Sequence, residues 1–292
     1  MVTIFIYALK STTIISVANR VATALKSTHL QTEFSEEKPV ANIGKVDVVV
    51  LTKNSEAQLE RCLDAVYENV PVNRLIVVDG YSADKTVDIV RKFDRKHRNV
   101  VLIQNKGTRG RARQIGIKHV ETEWFMFVDS DVVLCERWFE KAKNLINADV
   151  GAVWGIEVWS GIRNAGVLRL FLRVTRKIFD LRGGTHDLLL RREAVVDIDI
   201  PENLHVFEDA FIKEWISKKG YRIIAAYDPY CIHYRPAVVW TTKGSIDIIV
   251  DTFRFGSLRK MPQYILAYGF YTAYVMYRIM SQKKLSQSNP TG

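Results

Sequence analysis

The chain has 292 residues, 48% hydrophobic and 25% charged, a balance that supports a packed core and excludes a disordered polyelectrolyte. Its net charge of +10 favours polyanionic partners: nucleic acid, anionic lipid or a phosphorylated ligand. Cys62, Cys135 and Cys231 lie far apart without a CxxC pair, which argues against a disulfide framework or a cysteine-rich zinc module and suits a reducing, cytosol-facing location.

Residues 1–45 show no clear period and end in the polar run Thr32–Lys38, so they read as a peripheral extension and linker. The opening MVTIFIYALK is short and lacks a basic region before its apolar stretch, so it does not read as a signal peptide or a membrane span. Periodicity begins at Val46–Leu51, a β-branched run expected of a strand buried on both faces. A helix follows with Leu59, Cys62, Leu63 and Val66 on one face, and Ser55 is expected to cap it. The next expected elements are the strand Leu75–Asp79, the helix Ala83–His97, the strand Val100–Gln104, the helix Ala112–Val120 and the strand Trp124–Asp129. Strands alternating with helices through short loops predict an α/β fold with a mainly parallel central sheet. Further expected elements are strands at Val150–Ile156 and Asp187–Arg191, a helix Phe207–Lys219 ended by Gly220, and a short strand Tyr221–Ala226.

Ligands of such sheets bind beyond the carboxyl ends of the strands. That rule selects Thr52, Lys53 and Asn54; Asp79, Gly80 and Ser82; Asn105 to Arg113; and Asp129, Ser130 and Asp131, all on one edge. FMFVDSDVVL is the sharpest feature, an apolar strand ending in two carboxylates one residue apart. Placing like charges this close is costly unless a cation neutralises them, and a hard ion such as Mg²⁺ or Mn²⁺ sharing phosphate oxygens does so. The bland reading is a turn with two solvated aspartates. In IVVDGYSADKT, Asp79 is placed to accept hydrogen bonds from a base edge, while Ser82 or Asp84 can cap the helix containing Thr86.

Together these segments resemble the family-2 glycosyltransferases, which have the GT-A fold. VVVLTKN at 48–54 resembles their first strand and nucleotide-contacting loop, IVVDGYSADKT their second-strand motif with its following Asp and Thr, NKGTRGRARQIGI at 105–117 their glycine- and arginine-bearing third segment, and FVDSD their metal-binding DxD. Glu208 and Asp209, in FED at 207–209 before KKGYRI, resemble the family's acidic pair, and His233 takes the place of a histidine found in many members. The resemblance implies a single GT-A domain over 46–240 that uses a nucleotide-sugar donor. It implies Asp129 and Asp131 as metal ligands with His233 as a third, Asp209 as general base with Glu208 positioning it, and inversion at the anomeric carbon. Thr52, Asn54, Glu56, Asp79, Arg113 and Asp129 would contact the nucleotide. The QxxRW signature of processive synthases is missing after the acidic pair, so transfer of one sugar is expected.

The rivals are a nucleotidyltransferase, whose glycine-rich basic loop is missing after Leu51, and a non-catalytic nucleic-acid or lipid binder suggested by charge alone. Nucleic acid is not expected as a partner of the transferase. Basic residues cluster at Arg91–Arg98, Arg109–Arg113 and Arg163–Arg192, either as a solvated surface or as a phosphate-binding face. Val167–Leu181 places Arg169, Arg173 and Arg176 on one side of a helix, which suits either an anionic membrane or a packed position. Residues 241–292 are expected to form a C-terminal helical segment and a tail. Within it, Tyr264–Met280 carries Tyr264, Tyr268, Tyr271, Tyr274 and Tyr277, which suit a membrane interface better than a span. The partners expected are therefore a lipid-linked or glycan acceptor and a peripheral contact at the cytosolic face of a membrane.

Overall fold

The computed structural model describes residues 43–159, 184–204, 208–234 and Val250, all within one compact unit of the chain. The segments 167–181 and 264–280, and the termini beyond the 46–240 domain, lie outside the described residues save Ile43–Lys45 and Val250.

Four strands run parallel in the order β3-β2-β1-β4: β1 (Val46–Thr52), β2 (Val72–Asp79), β3 (Val100–Gln104) and β4 (Trp124–Asp129). Helices α1 (Leu59–Asn69), α2 (Thr86–His97) and α3 (Arg109–His119) make the crossovers. β1 is buried on both faces, which is why it reads as an unbroken β-branched run. Val48 and Val50 join the core that contains Leu59, Cys62, Leu63 and Val66 of α1. Val49 faces the other layer, where α3 comes so close that a Cβ at Gly116 would stand 2.5 Å from Val49 Cγ1.

The second half adds β5 (Val132–Leu134), α4 (Trp138–Lys143), β6 (Val150–Trp159), β7 (Asp187–Arg191), α5 (Glu208–Lys218) and β8 (Arg222–His233). The full order is β3-β2-β1-β4-β7-β6-β8-β5. β4 and β5 are four places apart in this order, about 19 Å if the sheet were flat. Only Ser130 and Asp131 join them, and that link reaches at most about 11 Å. The sheet therefore curls until its last strand returns beside β4, and His233 pairs with Val132 directly after the aspartates.

Several elements differ from expectation. Ser55 does not cap α1 with its side chain; its hydroxyl takes the Lys53 amide and meets Ser130 Oγ at 2.9 Å, while its carbonyl accepts from Gln58 and Leu59. α2 begins at Thr86 instead of Ala83, and Asp84, not Ser82, supplies the cap by accepting from the Thr86 amide. α3 begins at Arg109, a turn earlier than Ala112, because Thr108 Oγ1 accepts from the Arg111 amide. β2 begins at Val72 instead of Leu75, and β6 continues to Trp159 instead of ending at Ile156. β8 extends past Ala226 to His233, with its pairing to β6 jumping from Ala225 to Tyr230 across the Asp228–Pro229 step. α5 covers Glu208–Lys218, and Gly220 takes a left-handed φ of 84° beyond it.

At the amino end of the sheet, the fully buried Asp47 gathers four donors: Arg74, Asn73, and the amides of Glu121 and Thr122. Burial alone would raise its pKa; the hydrogen bonds from Arg74, Glu121 and Asn73 outweigh it and hold the carboxyl below its ordinary 3.8. The stabilisation is therefore present above about pH 4 and is lost as pH falls through the lowered folded value. Asp47→Asn is expected to cost about 2 kcal/mol at pH 7, discounted because Arg74 is partly exposed. Urea titrations should also show a flatter loss of stability between pH 4 and pH 2 in the variant than in the parent chain.

Candidate functional site

The carboxyl ends of β1, β2, β3 and β4 lie on one edge, as parallel pairing requires, and their loops are hydrogen-bonded to one another. Asp79 Oδ1 accepts from Thr52 Oγ1 at 2.9 Å, and Oδ2 from the Ser82 amide at 2.9 Å. Burial raises its pKa, yet hydrogen bonds from Ser82, Thr52 and Gln104 leave it below the ordinary value, so the carboxylate is charged and internally satisfied. Asn54, at φ 50°, donates its amide to Ser82 Oγ and accepts from the Ala83 amide. Glu56 accepts from the Lys85 amide at 2.8 Å. These residues shape the edge, with Asp79, Asn54 Oδ1 and Glu56 Oε2 accepting from hydroxyls and amides of the two loops.

Between the β1 and β2 loops, Lys53 Nζ donates to the carbonyls of Gly80 and Tyr81. Tyr81 takes φ 58°, a left-handed conformation costing a bulky residue on the order of 1 kcal/mol.

Next along the edge, Arg113 rises from α3 with its side chain 2% exposed, and Nη2 lies 2.7 Å from Asp129 Oδ1. Its guanidinium stands 4.7 Å from the Phe127 ring centroid. Nε and Nη1 of Arg113 are buried without a hydrogen-bond partner, as is Nδ2 of Asn105 after β3. Unsatisfied buried donors cost free energy, so donors gathered at a strand edge point to an anionic or carbonyl-bearing ligand. Burial opposes the charge of Asp129, but Arg113 and His233 outweigh it and hold the carboxyl down to about 2.

The curl of the sheet delivers the rest. His233 Nε2 is 2.8 Å from Asp131 Oδ1, and its Nδ1 is 2.9 Å from Glu157 Oε1 on β6. Asp131 and Asp129 remain partly exposed and turn carboxylate oxygens toward the edge, with the buried His233 directly behind Asp131. Asp129 and Asp131 fit a hard divalent ion, and His233 would join them by giving up the Nε2 proton it now holds against Asp131, with Glu157 keeping the proton on Nδ1. A second group brings ligand atoms of His186, Asp187 and Cys231 within 4.8 Å of one another, all buried. Burial pushes His186 down to about 4 and Asp187 up to about 8, so both are neutral at pH 7. Their 3.3 Å approach is accordingly no ion pair, and neither facing atom finds an aligned hydrogen bond. An imidazole and a thiol are softer than the oxygen ligands that a phosphate-bound hard ion prefers, so this buried group suits such an ion less well than the DxD set. Asp187 also has packing work, since Oδ2 accepts from Trp138 Nε1 at 2.9 Å and stands where a Cβ at Gly155 would lie.

Glu208 and Asp209 begin α5. Burial pushes Glu208 up to about 7, with Asp209 adding to the rise against the opposing pull of Arg109 and Arg113. Oε1 of Glu208 is 4.0 Å from Arg109, and Oε2 is buried without a partner. Asp209 Oδ1 accepts from the Ala210 amide at 2.7 Å, turning one oxygen toward the helix start. Glu157, His186 and Asp187 were not singled out from the sequence. The alternation of β6 conceals Glu157, and the GGTHD stretch before β7 was the available signal for the other two.

Residues 47–179 match Glycosyl transferase family 2. The poly(ribitol-phosphate) beta-glucosyltransferase of Bacillus spizizenii is 31% identical over 148 residues, covering 47% of this chain and 22% of that protein. The chain thus spans about a fifth of that relative's length. Among solved structures, the mannosyltransferase PcManGT of Pyrobaculum calidifontis, in complex with GDP-Man and Mn²⁺, superposes with a TM-score of 0.60. The identity is 22%, over 82% of this chain and 70% of that one. TarS 1–349 of Staphylococcus aureus, in complex with UDP-GlcNAc, gives a TM-score of 0.53 at 22% identity over 72% and 66% of the two chains. Both share the fold, a mixed α/β domain with a mostly parallel curled sheet.

The raised pKa of Glu208 has a readable consequence. Its folded value of about 7 exceeds the ordinary 4.5, so the folded state binds the extra proton between these values. Stability is therefore expected to fall as pH rises from about 4.5 to 7. Glu208→Gln should remove this component, and comparison of denaturation midpoints at pH 5 and pH 8 measures it. An unchanged slope in the variant would place the buried proton elsewhere.

Proposed function

From the premise that this chain belongs to glycosyl transferase family 2 and has the GT-A fold, we propose that it transfers one sugar from a nucleoside-diphosphate donor to an acceptor hydroxyl, with inversion. The observation that carries this reading is the convergence of Asp129, Asp131 and His233 with the unsatisfied donors of Arg113 on one sheet edge. Asp129, Asp131 and His233 would hold Mg²⁺ or Mn²⁺, which when bound offsets charge on the departing diphosphate. Thr52, Asn54, Glu56 and Asp79 shape the nucleotide side of the edge, and Arg113 supplies N–H groups to the ligand.

Asp209 is assigned as general base. It takes the proton of the acceptor hydroxyl as that oxygen bonds to the anomeric carbon; the bond from that carbon to the β-phosphate oxygen breaks, and the nucleoside diphosphate leaves with the electron pair. Glu208, largely buried beside Arg109, positions the start of α5. The acceptor is assigned as anionic, lipid-linked or glycan, at the cytosolic face of a membrane. The net charge of +10 supports this, as does the poly(ribitol-phosphate) named for the Bacillus relative. Among the described residues, no helix is long and apolar enough to cross a membrane.

Two substitutions separate binding from chemistry. Asp131→Asn is expected to abolish turnover and to remove the Mn²⁺-dependent rise in melting temperature given by UDP- or GDP-sugars. Asp209→Asn is expected to keep that rise and lose turnover by roughly 10²–10⁴-fold. Full activity in the first variant, or lost donor binding in the second, would show these roles to be misassigned. Flotation of the intact chain with anionic vesicles tests the membrane assignment; protein left at the bottom of the gradient at low salt would make a soluble acceptor the better assignment.

A further inference from the structure

We propose that the ring of Tyr81 is the stacking platform for the nucleobase of the donor. This rests on the nucleotide-sugar reading above and adds the residue that grips the base. The placement follows from strand order. The aspartates stand at the end of β4 and Tyr81 just beyond the end of β2, with β1 between them, a lateral separation of about 10 Å. A diphosphate held at Asp129 and Asp131 would leave its ribose and base within reach of the β1 and β2 loops on the same edge.

Four acceptor atoms there, Asp79 Oδ1 and Oδ2, Asn54 Oδ1 and Glu56 Oε2, already take hydrogen bonds. Asp79 takes hydrogen bonds from Thr52 and Ser82, Asn54 Oδ1 from the Ala83 amide, and Glu56 from the Lys85 amide. An arriving base finds few acceptors to use without breaking these bonds, so its largest available contact is a π-face. Tyr81 supplies one. The residue is 45% exposed, and among the described residues the other exposed large apolar ones are Val196 and Val250. The ring also draws the ammonium of Lys106, from the β3–α3 loop, to 4.9 Å from its centroid. The ring thus faces the neighbouring loop of the same edge.

Packing does not explain this residue. A tyrosine needed for the core would be buried, and a turn needing φ 58° would be served at no steric cost by glycine. Instead, Lys53 clasps the carbonyls of Gly80 and Tyr81, and Ser82 is tied to Asp79, so the strained backbone is held on both sides. A bulky residue fixed in a strained conformation with its ring in the open is the arrangement expected of a ligand contact.

The experiment uses the full chain with Mn²⁺ and measures binding of UDP, GDP and inorganic pyrophosphate by calorimetry. Tyr81→Gly is expected to weaken binding of the preferred nucleotide about 10-fold, the size of one lost base–aromatic stack. Pyrophosphate, which has no base, should bind as before, and the melting temperature should hold or rise, because glycine suits the positive φ. Tyr81→Phe should keep wild-type nucleotide affinity. The proposal is overturned if Tyr81→Gly binds nucleotide as the wild type does, if pyrophosphate affinity falls in parallel, or if Tyr81→Phe loses as much as Tyr81→Gly. Wild-type protein that binds neither nucleotide overturns the donor reading as well, which distinguishes the two failures.

Discussion

Ser130 and Asp131 are the constraint on which the architecture turns. They form a link too short to join β4 and β5 across a flat sheet, so the second half of the sheet bends round until β5 and β8 lie beside the end of β4. Without that closure, His233 would sit at a remote edge. With it, Asp131, His233 and Glu157 form a continuous line of 2.8 Å and 2.9 Å contacts, drawn from three regions of the chain. The aspartate motif thus serves both as candidate ligand and as the staple that assembles its own surroundings.

Burial then sorts chemically similar groups into different states. Asp129 and Asp187 begin with the same intrinsic acidity and end near 2 and near 8. Both are penalised by desolvation; Arg113 and His233 rescue the charge of Asp129, whereas Asp187 has Trp138 and Cys231 as its hydrogen-bonding neighbours and Glu157 as a repelling one. Glu208 falls between because Arg109 and Arg113 pull against Asp209 and the loss of water. At neutral pH an ionised Asp129 thus lies in the same fold as a buried, neutral His186 and a Glu208 held well above the ordinary carboxylate range. The differences come from neighbours, not residue type.

The first half of the fold was legible because its strands are buried on both faces and its helices carry one apolar stripe. β3 and β4 match the expected bounds, and the α1 face is Leu59, Cys62, Leu63 and Val66 as read. The misplaced boundaries have tertiary causes. Gly110 reads as a loop residue, yet it sits in the first turn of α3, where a Cβ would come within 2.9 Å of the Leu204 carbonyl, so the glycine marks a close packing contact. The strand expected to end at Ala226 continues to His233, because its pairing with β6 skips from Ala225 to Tyr230 across the intervening residues. In the site, residue types and order pointed to Asp129, Asp131, Arg113 and His233. What no local pattern revealed was how Thr52, Asn54, Glu56 and Asp79 are employed, since their partners come from the facing loop.

The contact between Gly116 and Val49 reaches further than packing. Gly116 lies one turn beyond Arg113 on α3, and the missing side chain lets that helix settle against β1. The depth of this seat sets how far the guanidinium stands from Asp129. One methyl group at position 116 would lift the helix, lengthen a charge-assisted hydrogen bond and let a carboxyl that now titrates near 2 drift upward. The apolar layer behind the sheet thus acts as a gauge for the acidity of the layer in front, and a substitution that looks purely hydrophobic would surface as altered electrostatics at the strand edge.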